Sequence, residues 1–148
     1  MAKRGDMKNV ILIMDDDERR LHSMNALIAG SYPHYETVLI NNAPDTINWL
    51  KGNLSSAVLI SLDHDLGPNR ERDGEVFDPG TGRDVVDYLV TKTPVCPVIV
   101  HTTNHIARDG MLFALEGAGW KTCFVVPQDD LEWIHGIWKT QIKKYLNA

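Results

Sequence analysis

Short, nearly unbroken apolar runs alternate along the chain with stretches in which apolar residues recur every three or four positions. The runs are NVILIM (9–14), ETVLIN (36–41), AVLISL (57–62), PVIVHT (97–102) and TCFVVP (122–127). Their β-branched content predicts strands, and their lack of polar alternation predicts strands covered on both faces, hence a parallel sheet. Between them the helical period places Leu21, Met24 and Ile28 on one face, then Ile47 with Leu50. It does the same for Val85, Val86, Leu89 and Val90, and for Met111, Leu112 and Leu115. The last segment carries a stripe of Leu131, Ile134, Trp138, Ile142 and Tyr145. Asp45, and Asp129 or Asp130, are candidate N-caps. Repeated β-α units with right-handed crossovers predict an α/β, flavodoxin-like doubly wound (βα)5 sandwich. Its five-stranded parallel sheet is expected in the order 2-1-3-4-5.

At 148 residues the chain suits one domain with a substantial core and is short for two, so residues 1–148 are read as a single domain. No internal repeat or interdomain linker interrupts it. The opening MAKRGDMKNVILIMDDD has a five-residue apolar run backed by three carboxylates, which reads as a first core strand, not a signal peptide. No apolar run nears the ~18 residues that span a bilayer, and a cytoplasmic protein is expected. Cys96 and Cys123 sit in apolar, strand-like surroundings and read as buried reduced thiols. The net charge of −5 argues against a face that binds duplex DNA.

In a doubly wound sheet, ligands gather at the carboxyl ends of the strands, near the switch point. The first strand ends in Asp15, Asp16 and Asp17, and the third in Asp63, His64 and Asp65. The predicted order makes these strands neighbours. Two unit charges about 4 Å apart repel by about 4 kcal/mol at an effective dielectric near 20. A cation among them would relieve this; oxygen ligands suit Mg²⁺ or Mn²⁺, and the adjacent histidines leave a softer ion open as the alternative. A lone aspartate there would be an ordinary cap; two acidic clusters on adjacent strands point to a divalent site.

The fourth strand adds His101, Thr102, Thr103, Asn104 and His105. His64 and His101 are candidates for acid and base near neutral pH. His22, His34 and His135 have no acidic company and read as structural. Thr102 or Thr103 is a candidate donor to a phosphoryl oxygen. The segment from 66 to 82 reads as a long polar loop carrying Arg70, Arg72 and Gly80-Thr81-Gly82, with Arg83 just beyond. Thr81 leads into a helix whose N-terminus favours anions, so the loop is a candidate phosphate site.

These residues carry a resemblance. The pattern ILIMDDD, Asp63 after LISL, Thr102 after PVIV and Pro127 after FVV is similar to the receiver domains of two-component response regulators, over nearly the whole chain. The resemblance implies Asp15 and Asp16 as the Mg²⁺-binding pair, Asp63 as phosphoryl acceptor, Asp65 lending its backbone carbonyl, and Thr102 as the switch hydroxyl. Receivers carry a lysine just before that proline. Here the position is Val126, and Lys121 lies at the far end of the strand, which argues against ordinary phosphorelay.

ISLDHDLG (60–67), GTGRDVVDYL (80–89) and HTTN (101–104) resemble a narrower group, the cyclic-phosphate processing receiver domains. This resemblance implies a site for RNA 2′,3′-cyclic phosphate ends or cyclic nucleotides. Its metal ligands would be Asp15, Asp16, Asp63 and Asp65, and its acid-base groups Asp63, His64 and His101. Phosphate would be held by Arg19, Arg70, Thr81, Arg83, Thr102 and Asn104. The group has an arginine soon after its acidic pair; here Asp17 and Glu18 precede Arg19, so the register is open by one. The first functional reading is a metal-dependent cyclic phosphodiesterase or phosphohydrolase. The alternative is a degenerate receiver acting as a signalling module, docking a protein partner or a second copy through the last helix and its Trp133, Trp138 and Tyr145.

Overall fold

The computed structural model describes residues 8–146. The strands are β1 (Val10–Met14), β2 (Glu36–Ile40), β3 (Ala57–Leu62), β6 (Val98–His101) and β7 (Thr122–Val125). They form one parallel sheet in the order β2-β1-β3-β6-β7, the expected 2-1-3-4-5 arrangement. The helices are α1 (Glu18–Ser31), α2 (Ala43–Asn53), α3 (Gly82–Leu89), α4 (His105–Gly117) and α5 (Lys139–Leu146), the last preceded by a π-helical segment at Ile134–Trp138.

Side chains alternate along each strand, so the sheet has two apolar faces. Leu12, Met14, Ile60, Leu62, Val98 and Val100 pack with Val85, Val86, Leu89, Met111 and Leu115 of α3 and α4. Ile11, Ile13, Leu59 and Ile99 point the other way, against Met24 and Ile28 of α1 and Trp133, Ile134, Trp138 and Ile142 of the last helix. The π-turn has a packing reason. Trp133 and Trp138 are five apart, and a π-turn aligns residues at that spacing, so both indoles reach the sheet.

Three expectations are corrected locally. The N-cap of α2 is Asn42, whose side chain accepts from the Asp45 amide at 2.8 Å; Asp45 lies in the first turn and receives the Asn42 amide in return. Asp129 and Asp130 both have positive φ and form the turn before the last helix, not its cap. The polar loop contains a hairpin, β4 (Arg70–Arg72) and β5 (Glu75–Phe77), turning at Asp73-Gly74 with φ of 55° and 81°. An Asp-Gly pair is the sequence signal for such a turn. Among the described residues, no helix is long and apolar enough to cross a membrane.

Candidate metal centre

β1 and β3 run in register with Met14 opposite Leu62, so Asp15 and Asp63 emerge side by side at one level. Backbone bonds pin both: Asp63 N–H donates to Met14 O at 2.9 Å, and Asp15 N–H to Ile40 O at 3.1 Å. Asp15 and Asp63 are buried and Asp16 is exposed, yet one carboxylate oxygen from each of the three lies within 4.8 Å of the other two. Asp16 and Asp63 border a cavity of about 430 Å³, also lined by Asp17, Arg20, Asp65, Thr102 and Thr103, while Asp15 lies fully buried behind it.

The charges there are poorly compensated. Burial and the nearby Asp15 carboxylate push Asp63 up to about 8, against the pull of the His64 N–H and Arg20. Asp16 is raised by burial and by Asp15. Burial is the largest single influence on Asp15 and would raise it, but the hydrogen bond and charge of His101, the Asp17 N–H and Arg20 together outweigh it and hold the carboxyl below the ordinary range. Three converging oxygens with one acid forced to keep its proton fit a hard divalent cation.

The other candidates separate. Asp17 is the N-cap of α1, accepting from the amides of Arg19 and Arg20. Asp65 lines the cavity; its carboxylate, as distinct from the backbone carbonyl the resemblance invokes, meets His64 Nδ1 at 3.0 Å and Asn104 Nδ2 at 3.4 Å and is not one of the converging trio. Thr102 is buried at the cavity wall, its hydroxyl accepting from Asn104 N. Asn104 caps α4, taking the Ala107 amide at 3.0 Å.

The expectation that both His64 and His101 serve as acid and base is corrected for His101. His101 shares the parity of Ile99 and is fully buried, its Nε2 3.0 Å from Asp15 Oδ2 and its ring stacked on Trp133. It supports the acidic floor from beneath. The His64 ring is bonded to Asp65 instead.

Four of the predicted phosphate contacts lie elsewhere. Arg19 points outward to Asp130 at 2.9 Å. Arg70 ties the hairpin to the Asn41 and Leu66 carbonyls. Arg83 pairs with Asp87 at 2.8 Å on α3. The Thr81 amide donates to Asp84 Oδ2 in the first turn of that helix. The Gly-Thr-Gly pattern is explained by backbone geometry: Gly80 has φ of 67°, and a Cβ on Gly82 would meet the Asp63 carbonyl oxygen at 2.1 Å.

Sequence reasoning missed Arg20. Its Nη1 stands 3.5 Å from Asp15 Oδ2 and 3.9 Å from Asp63 Oδ2, and its guanidinium lies 5.5 Å from the Trp133 ring centre. The missed signal is the capping role of Asp17: with the helix starting at Glu18, Arg20 shares a face with buried Met24 and Leu27. No lysine lines the cavity among the described residues; the cation beside the carboxylates comes from α1.

A family model for the cyclic-phosphate processing receiver domain matches residues 10–117, spanning all of this geometry except the last strand and helix. The chain belongs to that family. Known receivers share the fold. The phosphorylated cyanobacterial phytochrome response regulator RcpA superposes with a TM-score of 0.71 at 18% identity, over 94% of each chain. The Mn²⁺-bound form of response regulator Rcp1 gives 0.66 at 17% identity, over 93% of this receiver and 94% of that chain. The non-phosphorylated HemR receiver domain from Leptospira biflexa gives 0.66 at 18%, over 95% and 96%. Among curated proteins, none matches the chain.

Proposed function

We propose that this receiver binds Mg²⁺ or Mn²⁺ through Asp15, Asp16 and Asp63 and uses the site to hold and hydrolyse a cyclic phosphate, at an RNA 2′,3′-cyclic end or on a cyclic nucleotide. The observation that carries this is the convergence of three carboxylate oxygens within 4.8 Å beside an arginine. Val126 stands where receivers hold the lysine that pairs with a phosphoaspartate, so the site favours phosphate ligands over a stable acyl phosphate. The Mn²⁺-bound relative Rcp1 supports a divalent ion in this fold.

Arg20 would pair with a non-bridging phosphate oxygen, and Thr102 or Thr103 would donate to another. A bound divalent ion would polarise the phosphoryl group and lower the pKa of a coordinated water. Attack by water at phosphorus breaks one ring P–O bond, and the water's proton ends on the freed sugar oxygen. His64, whose ring meets Asp65, would pass that proton, and His101 would act through Asp15.

The purified protein incubated with a 2′,3′-cyclic-phosphate oligonucleotide and with 2′,3′- and 3′,5′-cyclic nucleotides tests this. Turnover should require Mg²⁺ or Mn²⁺ and disappear in EDTA and in Asp63→Asn. Absence of both turnover and calorimetric binding with all substrates would sink the proposal. Binding without turnover would favour the second reading, a receiver that acts by docking. That reading draws on the exposure of Ile106, Phe113 and Phe124 on α4 and β7, since Trp133 and Trp138 of the last helix are core residues.

A further inference from the structure

Ser61 is a hydroxyl in the middle of an apolar strand. Its sheet neighbours at the same level are Ile13 and Ile99, and none of its surface is exposed. A buried hydroxyl persists where it is hydrogen-bonded on both sides. Trp138 Nε1 donates to Ser61 Oγ at 3.0 Å, and Ser61 Oγ lies 2.7 Å from His101 Nδ1. His101 Nε2 in turn lies 3.0 Å from Asp15 Oδ2. All four side chains are fully buried.

The direction of this chain follows from its ends. An indole N–H can only donate, and an ionised carboxylate can only accept. Ser61 therefore receives the Trp138 proton and passes its own to His101 Nδ1, leaving the His101 proton on Nε2, facing Asp15. The opposite tautomer would set a bare nitrogen against a carboxylate and leave the Ser61 proton without a partner. Trp133, stacked 5.7 Å from the His101 ring centre, limits its tilt. The π-turn that brings both indoles to the sheet thus also sets the ring beneath the metal centre.

We propose that Ser61 and Trp138 are positioning residues of the metal centre: through His101 they fix the tautomer and angle that aim the Asp15 carboxylate. The inference rests on the divalent-cation reading above and extends it to a relay that begins in the last helix. Partners behind a first ligand commonly change metal affinity by about 10–100-fold when removed.

The test pairs Mg²⁺ calorimetry with ¹⁵N NMR of the His101 ring, in the wild type and in Ser61→Ala, Trp138→Phe, His101→Gln and His101→Leu, with thermal melting of each. The wild-type ring should carry its proton on Nε2, and Ser61→Ala should show both tautomers. His101→Leu should weaken Mg²⁺ by about 10-fold or more, and Ser61→Ala and Trp138→Phe by about 3-fold or more. His101→Gln, whose amide can donate to Asp15, should recover most of the loss. A wild-type proton on Nδ1, or folded Ser61→Ala and Trp138→Phe proteins with unchanged affinity, would overturn the relay. Lack of Mg²⁺ saturation in the wild type would overturn the cation reading itself. The ring spectrum needs no metal, so the two failures are told apart even where a variant does not fold.

Discussion

A Cβ placed on Gly82 would stand 2.1 Å from the carbonyl oxygen of Asp63. The first turn of α3 lies directly against the backbone that carries the central carboxylate, held there by Gly82 N–H donating to His64 O at 2.9 Å. Even one methyl group must displace the helix or the end of β3. Gly82→Ala is expected to cost about 3 kcal/mol, as overpacking against rigid backbone does. Gly52, near the end of α2, has nothing within 4 Å of such a Cβ. Gly52→Ala should instead stabilise by about 0.5–1 kcal/mol. Urea midpoints measure both, and equal shifts for the two variants would refute the steric account.

Arg20 competes with a metal for the same carboxylates while attracting any phosphate. Its removal should therefore shift two affinities in opposite directions. With about 1 kcal/mol of repulsion relieved, Arg20→Ala is expected to bind Mg²⁺ about five-fold more tightly when no phosphate is present. The same variant should bind inorganic phosphate or a cyclic nucleotide more weakly in the presence of Mg²⁺. Arg19→Ala should change neither, because its pairing with Asp130 is exposed. Calorimetry with each ligand decides it, and weaker Mg²⁺ binding by Arg20→Ala would refute this role.

The strands and their order were legible because a doubly covered sheet demands continuous apolar runs, and the acidic pair because charges at neighbouring strand ends have few bland explanations. The arginine was misassigned by one residue. Asp17 reads like a further ligand, yet it caps α1 and so decides which arginine faces inward. The hairpin hid behind a polar composition despite its Asp73-Gly74 turn. His101 could have been placed on the Asp15 face from its parity with Ile99. What seals it there, two indoles more than 30 positions further on, arises only from tertiary packing.

Thiol chemistry offers an independent check on packing. Cys96 and Cys123 are unpaired and half-buried, short of the burial expected of them, yet desolvation still pushes the Cys96 thiol up to about 12 and raises Cys123. Only the thiolate attacks iodoacetamide. Against an ordinary thiol near 8.5, a pKa of about 12 lowers the thiolate fraction of Cys96 at neutral pH on the order of a thousand-fold. Native protein should leave Cys96 unmodified under conditions that label it fully in urea. Mass spectrometry of the labelled peptides reads this directly, and rapid native labelling of Cys96 would contradict the desolvation of its thiol.

The proton on Asp63 links folding to pH. Its pKa rises from 3.8 to about 8 on folding, so between those values the folded chain holds a proton that the unfolded chain has released. Stability falls with pH wherever the folded state binds more protons, so this group's destabilising effect is absent at low pH and grows as pH climbs toward 8. In EDTA, Asp63→Asn should melt close to the wild type near pH 4 and clearly above it at pH 8. Saturating Mg²⁺ should narrow the gap at pH 8: binding to the folded wild type adds about 2.7 kcal/mol at a hundred times Kd, while the variant has lost a ligand and gains less. Thermal melts across this range, with and without Mg²⁺, follow the change. A wild type that stays as stable as Asp63→Asn at pH 8 in EDTA would mean the three carboxylates are not crowded as described, and that no cation is needed to separate them.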